Sequence, residues 1–418
     1  MKRMRRSGPE LIAGLDIGSG RVTCLIGAPD SATGVVKVLG GASVACRGLK
    51  GGVVIDIYDA ALAVTRAGEE AESAVKATVS SVWLGVRGAH LQSFNNRGAY
   101  NIARTDREIT ADDMNAVVSS ARAIPLSSDR EILHVVPQGF SLDRQRGVPH
   151  PVGMEASLLE VDVHLVTASS AHLNNILKTV AQAGFEVVET VYGLLAAGET
   201  LVTQEEKELG CVLIDFGGQS ISLGVYCEGA IKYSKELALG SDFITRDLAV
   251  GLKTSIATAE KIKMDHGIAH PSLLNGDADI DCNGIDGRTP LRVKTSTMMG
   301  IILPRVEEIF SVVAEELQNS SYADVIAPGG AILTGGGSMM RGTLEAASQI
   351  LGVPVRRGVP HPDSIVADDV WLSPTYATAL GLLQYSTAPR WGGVNVRAVS
   401  RKRPVWMRRI TTMLEELF

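Results

Sequence analysis

Leu15-Asp16-Ile17-Gly18-Ser19-Gly20 and, about 200 residues later, Ile214-Asp215-Phe216-Gly217-Gly218-Gln219-Ser220 share one form. In each, an apolar strand delivers an aspartate into a tight turn of small residues, and a second apolar strand follows. Residues 11–17 and 22–27 frame the first turn, and residues 211–216 and 221–226 frame the second. This is the pattern of a hairpin, not the strand-to-helix turn of a dinucleotide or P-loop site. Glycines let backbone N–H groups approach phosphate oxygens with no Cβ in the way. An aspartate at that edge can hold Mg2+ through water, because Mg2+ keeps much of its hydration shell. One such turn is more often only a turn; two in matching halves point to a duplicated fold with phosphates clamped between the halves.

Two further elements extend the pattern. Leu333-Thr334-Gly335-Gly336-Gly337-Ser338 runs from a strand (331–334) through three glycines toward a helix, which lets backbone pack against an adenine or ribose. Alternatively it is a Gly-rich helix cap. On a predicted helix at 256–265, Glu260 and Lys263 lie three apart on one face and could hold ribose hydroxyls and an adenine edge. By itself that spacing is also the spacing of a solvated ion pair.

Around these elements the chain organises into alternating units. Residues 58–76, 172–183 and 193–203 are Ala-rich or amphipathic and predict helices, the last ending in a charged turn at 205–208. Residues 82–86 and 186–190 predict strands, and Trp83 reads as core. Between 88 and 165 the pattern shifts to short extended stretches, such as 134–142, around one helix. That helix runs from about 111 to 124, with Thr110 as N-cap and Asp113 three residues on. This stretch is an inserted α+β subdomain. Helices are further predicted at 241–250 and 301–320, and 271–288, rich in Gly, Asp and Asn, reads as an exposed loop.

The 418 residues exceed one ordinary core. Hydrophobic residues make up 45% and charged residues 21%, as in folded globular chains. The net charge of −6 argues against a general nucleic-acid binder. Five cysteines without CxxC spacing (Cys24, Cys46, Cys211, Cys227, Cys282) read as free thiols in a reducing compartment, and the eight histidines form no HExxH pattern. Neither a secretory signal nor a run of about 20 apolar residues is found, so a membrane contact is expected to be peripheral.

Such a contact has a candidate. After a basic, Pro- and Gly-containing linker at 386–403, the last residues place Trp406, Met407, Ile410, Met413, Leu414, Leu417 and Phe418 on one side of a helix, with Arg408 and Arg409 among the polar residues opposite. The helix either docks on protein or lies in an anionic membrane surface. The leading Trp406, the basic residues and the linker, a coil spanning roughly 20–25 Å, favour the membrane. Each basic residue contributes about 1 kcal/mol near anionic lipid, so one tail binds reversibly and several on a polymer hold by avidity.

The order and spacing of these motifs resemble the two phosphate motifs and the adenosine motif of the actin, chaperone and sugar-kinase superfamily. Within it the chain is similar to the FtsA family of bacterial division proteins. The likeness rests on residues 134–168: Pro137-Gln138, then Asp143, Gln145 and Gly147, then Pro151-Val152-Gly153-Met154 and Val163-His164. It rests also on ELGC at 208–211 and AExIKxxHG at 259–267. The resemblance implies an α/β, two-lobed actin-like ATPase fold with an inserted subdomain and a C-terminal amphipathic helix. Subdomain IA would take 1–85 and 167–203, IC 86–166, IIA 204–240 and 301–385, and IIB 241–300, followed by a linker at 386–403 and a membrane-targeting helix at 404–418.

It further implies ATP between the lobes, with Asp16 and Asp215 placing Mg2+. Ser19, Gly20, Arg21, Gly217, Gly218 and Gln219 would surround phosphate, and Glu260, Lys263, Gly335, Gly336, Gly337 and Ser338 would hold adenosine. Implied partners are other copies of the chain in filaments, the C-terminal tail of FtsZ on IIB, later division proteins on IC, and the cytoplasmic face of the inner membrane. The chain departs from relatives at Gln219 and Ser222, where they carry Gly and Asp, and at Arg21, where many carry Lys. On the connecting stretch 191–194 only the Tyr192 hydroxyl could orient an attacking water, so slow or absent hydrolysis is expected. The rival readings are a sugar or acid kinase, for which no carboxylate base presents itself, and a PilM-like pilus assembly protein.

Overall fold

The computed structural model describes residues 11–30, 33–320 and 322–387. The linker and the terminal amphipathic helix, with Trp406 through Phe418, lie outside the described residues.

Two sheets repeat one topology. In the first lobe, strand Ile12–Ile17 pairs antiparallel with Arg21–Pro29, which pairs antiparallel with Val36–Ala45. On its other side Ile12–Ile17 runs parallel to Ser81–Val86, which runs parallel to Glu186–Tyr192. In the second lobe, Cys211–Phe216, Ile221–Cys227 and Ala230–Leu237 form the same antiparallel meander, and Ala331–Thr334 and Val355–Arg357 continue it in parallel. Both central strands are almost wholly buried, which is why they read as continuous apolar runs. The hairpins follow from the small residues at 18–20 and 217–220; each turn closes with the same bond, Gly18 N to Arg21 O (2.9 Å) and Gly217 N to Ser220 O (3.0 Å).

The inserted unit is a four-stranded antiparallel sheet, Leu91–Asn101, Leu158–Ser169, Arg130–Leu142 and Gln145–Val148 in spatial order, covered by helix Ala111–Arg122. Its core is its own: Met114, Val117, Phe140, Leu159, Val161 and Leu165 are among the buried side chains packed together. Thr110 caps the helix as expected, in a reciprocal box with Asp113, whose carboxylate Arg104 Nη2 also meets at 2.6 Å.

Helices Gly193–Leu201 and Ala377–Thr387 cross between the lobes. Their contact is backbone to side of helix, because Gly381 has no Cβ: one placed there would stand 2.1 Å from Ala196 O. Trp83 is half-buried rather than central, edge-on to Tyr385 beside the same helices.

Three local expectations are corrected. The charged turn at 205–208 is a helix, Gln204–Leu209, because Thr203 and Glu206 form a second capping box. The stretch 271–288 is not all loop: Asp279–Asn283 pairs antiparallel with Pro290–Lys294, burying Ile280 and Val293 behind polar residues that carry the loop composition. The helix predicted at 301–320 spans Thr295–Asn319, with Pro304 inside it; burial of Met298 and Ile302 extends it past the Ser/Thr-rich start that reads as a boundary. The strands Val36–Ala45 and Ala230–Leu237 were not anticipated. The five cysteines are free thiols, four buried and Cys282 half-buried.

Candidate functional site

The two hairpins aim their aspartates at one point. Asp16 is paired in register with Gly85 of the neighbouring parallel strand, and Asp215 with Thr334 of the equivalent strand in the second lobe. Both are buried, 7% and 4% exposed. Between them lies the guanidinium of Arg87, one residue past the strand Ser81–Val86. Its Nη2 is 2.9 Å from each Asp16 carboxylate oxygen and 2.9 Å from Thr378 Oγ1, and its Nη1 is 3.2 Å from Asp215 Oδ2. Burial works against the charged guanidinium, but Asp16, Asp215 and Glu236 outweigh it and hold the pKa above the usual value. Burial also pushes the Asp16 carboxyl up, and Arg87 opposes that. Hard carboxylate oxygens converging on one cation are a donor set suited to Mg2+. Asp215 Oδ1, buried and without a hydrogen-bond partner among the described residues, is a ready acceptor for one more donor.

The turns surround this point. Ser19 Oγ accepts from Gly52 N at 3.2 Å, and Gly20 O accepts from Cys46 N at 3.0 Å. Arg21 turns along the sheet, with Nε on Ser43 Oγ (2.9 Å) and Nη2 on Ser43 O (2.7 Å). Gly217 O and Gly218 O accept from Ser241 N and Asp242 N at the start of helix Ser241–Gly251. Gln219 spans the lobes: its Oε1 accepts from Gly51 N at 2.8 Å, and its Nε2 donates to Asp242 Oδ2 at 2.9 Å.

The glycine triplet lies beside Asp215. Gly335 has φ +83° and packs so closely that an added Cβ would stand 2.3 Å from Asp215 Oδ1. Gly336 faces open space and Gly337 rests on the Phe216 ring. A short 3-10 turn, Gly336–Met339, separates the triplet from the helix Thr343–Leu351. Ser338 is wholly buried, its Oγ donating to Gly335 O at 2.7 Å, so its hydroxyl braces the turn. Lys263, buried on helix Ile256–His266, pairs with Glu260 (2.7 Å), donates to Thr245 Oγ1 (2.8 Å) and reaches Ser241 O (3.2 Å). Through Ser241 this pair connects to the turn at Gly217.

Sequence reasoning missed Arg87, Thr378 and Glu236. Arg87 carried a weak signal: it follows the strand Ser81–Val86 directly and precedes Gly88, while Asp16 and Asp215, next to last in their strands, stand two residues before Gly18 and Gly217. Glu236 on Ala230–Leu237 carried none. Its Oε2 accepts from Gly88 N at 3.0 Å, and the Ser222 and Tyr192 hydroxyls lie beside it. Tyr192 is buried, 1% exposed, and its N–H donates to His134 Nε2 of the inserted sheet at 2.8 Å. The inserted unit reaches the same strand of the second lobe through Ser93 Oγ to Ser234 O (2.6 Å), Asn95 Nδ2 to Lys232 O (2.8 Å) and Gln138 Nε2 to Ile231 O (2.8 Å). His164 joins this seam, with Nδ1 on Asn95 Oδ1 (2.7 Å) and Nε2 on Ser234 Oγ (2.8 Å); burial lowers its pKa to about 4, so it is neutral there.

Burial raises the Glu236 carboxyl from its ordinary value to about 7, against hydrogen bonding and the Arg87 charge. Between the ordinary carboxyl range and about pH 7, the folded chain keeps a proton that the unfolded chain has released, so stability falls as pH rises through that window and levels off above it. Glu236→Gln is expected to flatten this part of the profile and to melt roughly 2 °C or more above the parent at pH 8. Identical melting profiles across pH 5–8 would show that the buried carboxylate is not what titrates.

The chain's likenesses agree with this architecture. The sequence profile described as "Cell division protein FtsA" matches residues 212–381, and that of the "SHS2 domain inserted in FTSA" matches residues 88–167. A cell division protein FtsA of Pseudomonas aeruginosa is 35% identical over 387 residues, covering 93% of this chain and 92% of its own. Among solved structures, the PilM–PilN type IV pilus biogenesis complex superposes on 90% of this chain and 99% of its own, with TM-score 0.66 and 18% identity. MreB5 of Spiroplasma citri, bound to ADP, covers 89% of this chain and 94% of its own, with TM-score 0.53 and 14% identity. At such identities the solved structures establish the fold alone: that of the actin-like ATPases.

Proposed function

Because the chain belongs to the FtsA family of cell division proteins, we propose that it is an ATP-binding, filament-forming adaptor that ties the FtsZ ring to the inner membrane. The observation that carries this reading is the convergence of Asp16 and Asp215, from two matching hairpins, on one cation position between the lobes. With nucleotide bound, Asp16 and Asp215 would hold Mg2+, which neutralises phosphate charge. Ser19, Gly20, Gly217, Gly218 and Gln219 edge the phosphates, with Arg21 at the rim. Gly336 offers uncovered backbone to adenosine, Gly335, Gly337 and Ser338 shape the turn beneath it, and the Glu260–Lys263 pair stands at its other side.

Subdomain limits of 86–166 for IC and 241–300 for IIB are part of this proposal. IIB receives the FtsZ tail, IC faces later division proteins, and copies of the chain assemble into filaments. Hydrolysis is slow, because Tyr192, the one polar side chain on the connecting stretch, is buried beside Glu236 rather than open to a water. No helix among the described residues is long and apolar enough to cross a membrane. The amphipathic segment 404–418 then supplies a peripheral anchor on the cytoplasmic face, where one weak tail per copy becomes strong binding in a polymer.

The test is co-sedimentation with vesicles containing anionic lipid, with and without Mg-ATP. The full chain is expected to pellet, more completely with Mg-ATP, and a chain ending at Arg403 to stay in the supernatant. If both remain soluble under every condition, the anchoring role fails. If both pellet equally, the tail is not the anchor.

A further inference from the structure

Two carboxylates buried this deeply repel each other unless a cation stands between them. Here that cation belongs to the chain itself. Arg87 Nη2 engages both oxygens of Asp16 and the hydroxyl of Thr378, while Nη1 engages Asp215, so one side chain joins both lobes and the crossing helix that carries Thr378. The side chain is only 14% exposed. Mg2+ or its inner waters would need the Asp16 oxygens that Nη2 already contacts, so the guanidinium and the metal exclude each other from this place.

Nor is the guanidinium a complete fit. Arg87 Nε and Asp215 Oδ1 are both buried without a hydrogen-bond partner among the described residues. Unsatisfied buried groups of this kind cost free energy and mark an arrangement that a better-matched ligand can replace. Gly88, the next residue, donates its N–H to Glu236 of the second lobe, so movement of Arg87 is felt directly at the seam between lobes.

Resting on the nucleotide-binding reading above, we propose that Arg87 is the resident counter-ion of the cleft: it competes with the metal–nucleotide for Asp16 and Asp215, and so sets the nucleotide affinity. The chain binds nucleotide only in the fraction of molecules whose Arg87 has left the carboxylates, and the apparent affinity is lowered by that fraction. Gln219, bonded to Gly51 N across the same cleft, adds a second closure that nucleotide must accommodate.

The experiment uses the full chain, Arg87→Met and Arg87→Lys. Mn2+ binding without nucleotide is followed by electron paramagnetic resonance, and Mg-ATP binding by titration calorimetry. Arg87→Met is expected to bind both roughly tenfold more tightly than the parent. Without ligand it should melt at a lower temperature, because two buried carboxylates lose their counter-ion, and Mg-ATP should restore the loss. Arg87→Lys keeps the charge but not the two-pronged geometry, so it should fall between the two.

Unchanged or weaker binding of Mn2+ by Arg87→Met overturns the proposal, and weaker Mg-ATP binding would make Arg87 a phosphate ligand instead. Should Arg87→Met fail to fold, Arg87→Lys decides: no gain in Mn2+ affinity over the parent sinks the idea. If the variants gain Mn2+ affinity while no form of the chain binds ATP, the counter-ion role stands and the nucleotide reading falls.

Discussion

Asp215→Ala is expected to lower the affinity for Mg-ATP by at least about 100-fold, or about 2.7 kcal/mol. The carboxylate stands next to last in a fully buried strand, which fixes its place at the edge of the cleft. One of its oxygens meets Arg87 and the other, buried, has no hydrogen-bond partner among the described residues, which leaves it available to a metal. A metal held by one carboxylate instead of two loses both charge and geometry. The strand core of Val212, Ile214 and Phe216 is untouched by the substitution, and Arg87 keeps its bonds to Asp16, so the fold should survive. Calorimetric titration with Mg-ATP, alongside a thermal melt, checks both halves of the expectation. Affinity within about threefold of the parent would remove Asp215 from the metal site and with it the duplicated-clamp argument.

Gly381→Val should damage the fold itself. Helix Ala377–Thr387 lies so close to helix Gly193–Leu201 that even a Cβ would meet Ala196 O at 2.1 Å and Ala196 C at 2.3 Å. The obstacle is main chain, so no rotamer and no compensating side chain at position 196 relieves it. Overpacking of this kind costs at least about 3 kcal/mol, a large share of the roughly 5–15 kcal/mol that holds a typical protein together. The melting temperature is expected to drop roughly 3 °C or more, or the protein to become insoluble. Since the same helix carries Thr378, which anchors Arg87, Mg-ATP affinity should change as well in any folded fraction. A valine variant that melts with the parent would mean that the two helices can part without cost, and the crossing would not be the junction of the lobes.

Much of the architecture was legible in the linear chain because the signals are local. Turn chemistry at 18–20 and 217–220 announced both hairpins, continuous apolar runs announced their buried central strands, and Thr110 with Asp113 announced a helix start that the structure closes with a reciprocal cap. Local composition misled where burial was carried by few residues. The strand pair at 279–294 hides Ile280 and Val293 among Asp, Asn and Gly, and Ser/Thr residues at 295–297 masked the first turns of a long helix.

How the ionic groups of the candidate site meet was not legible. Arg87 finds Asp16 at a sequence separation of 71 and Asp215 at 128, and Glu236 meets Gly88 at 148. No periodicity or turn rule encodes which charges meet at such distances; packing of two sheets against a shared pair of helices does. The sequence by itself determined the duplicated hairpins, the family and the aspartates that face the cleft, because strand, turn and cap preferences act over a few residues. Only the tertiary structure decided that an arginine of the chain's own stands between those aspartates and that a glycine lets the helices between the lobes touch, because both depend on the positions of atoms that the fold alone brings within a few ångströms.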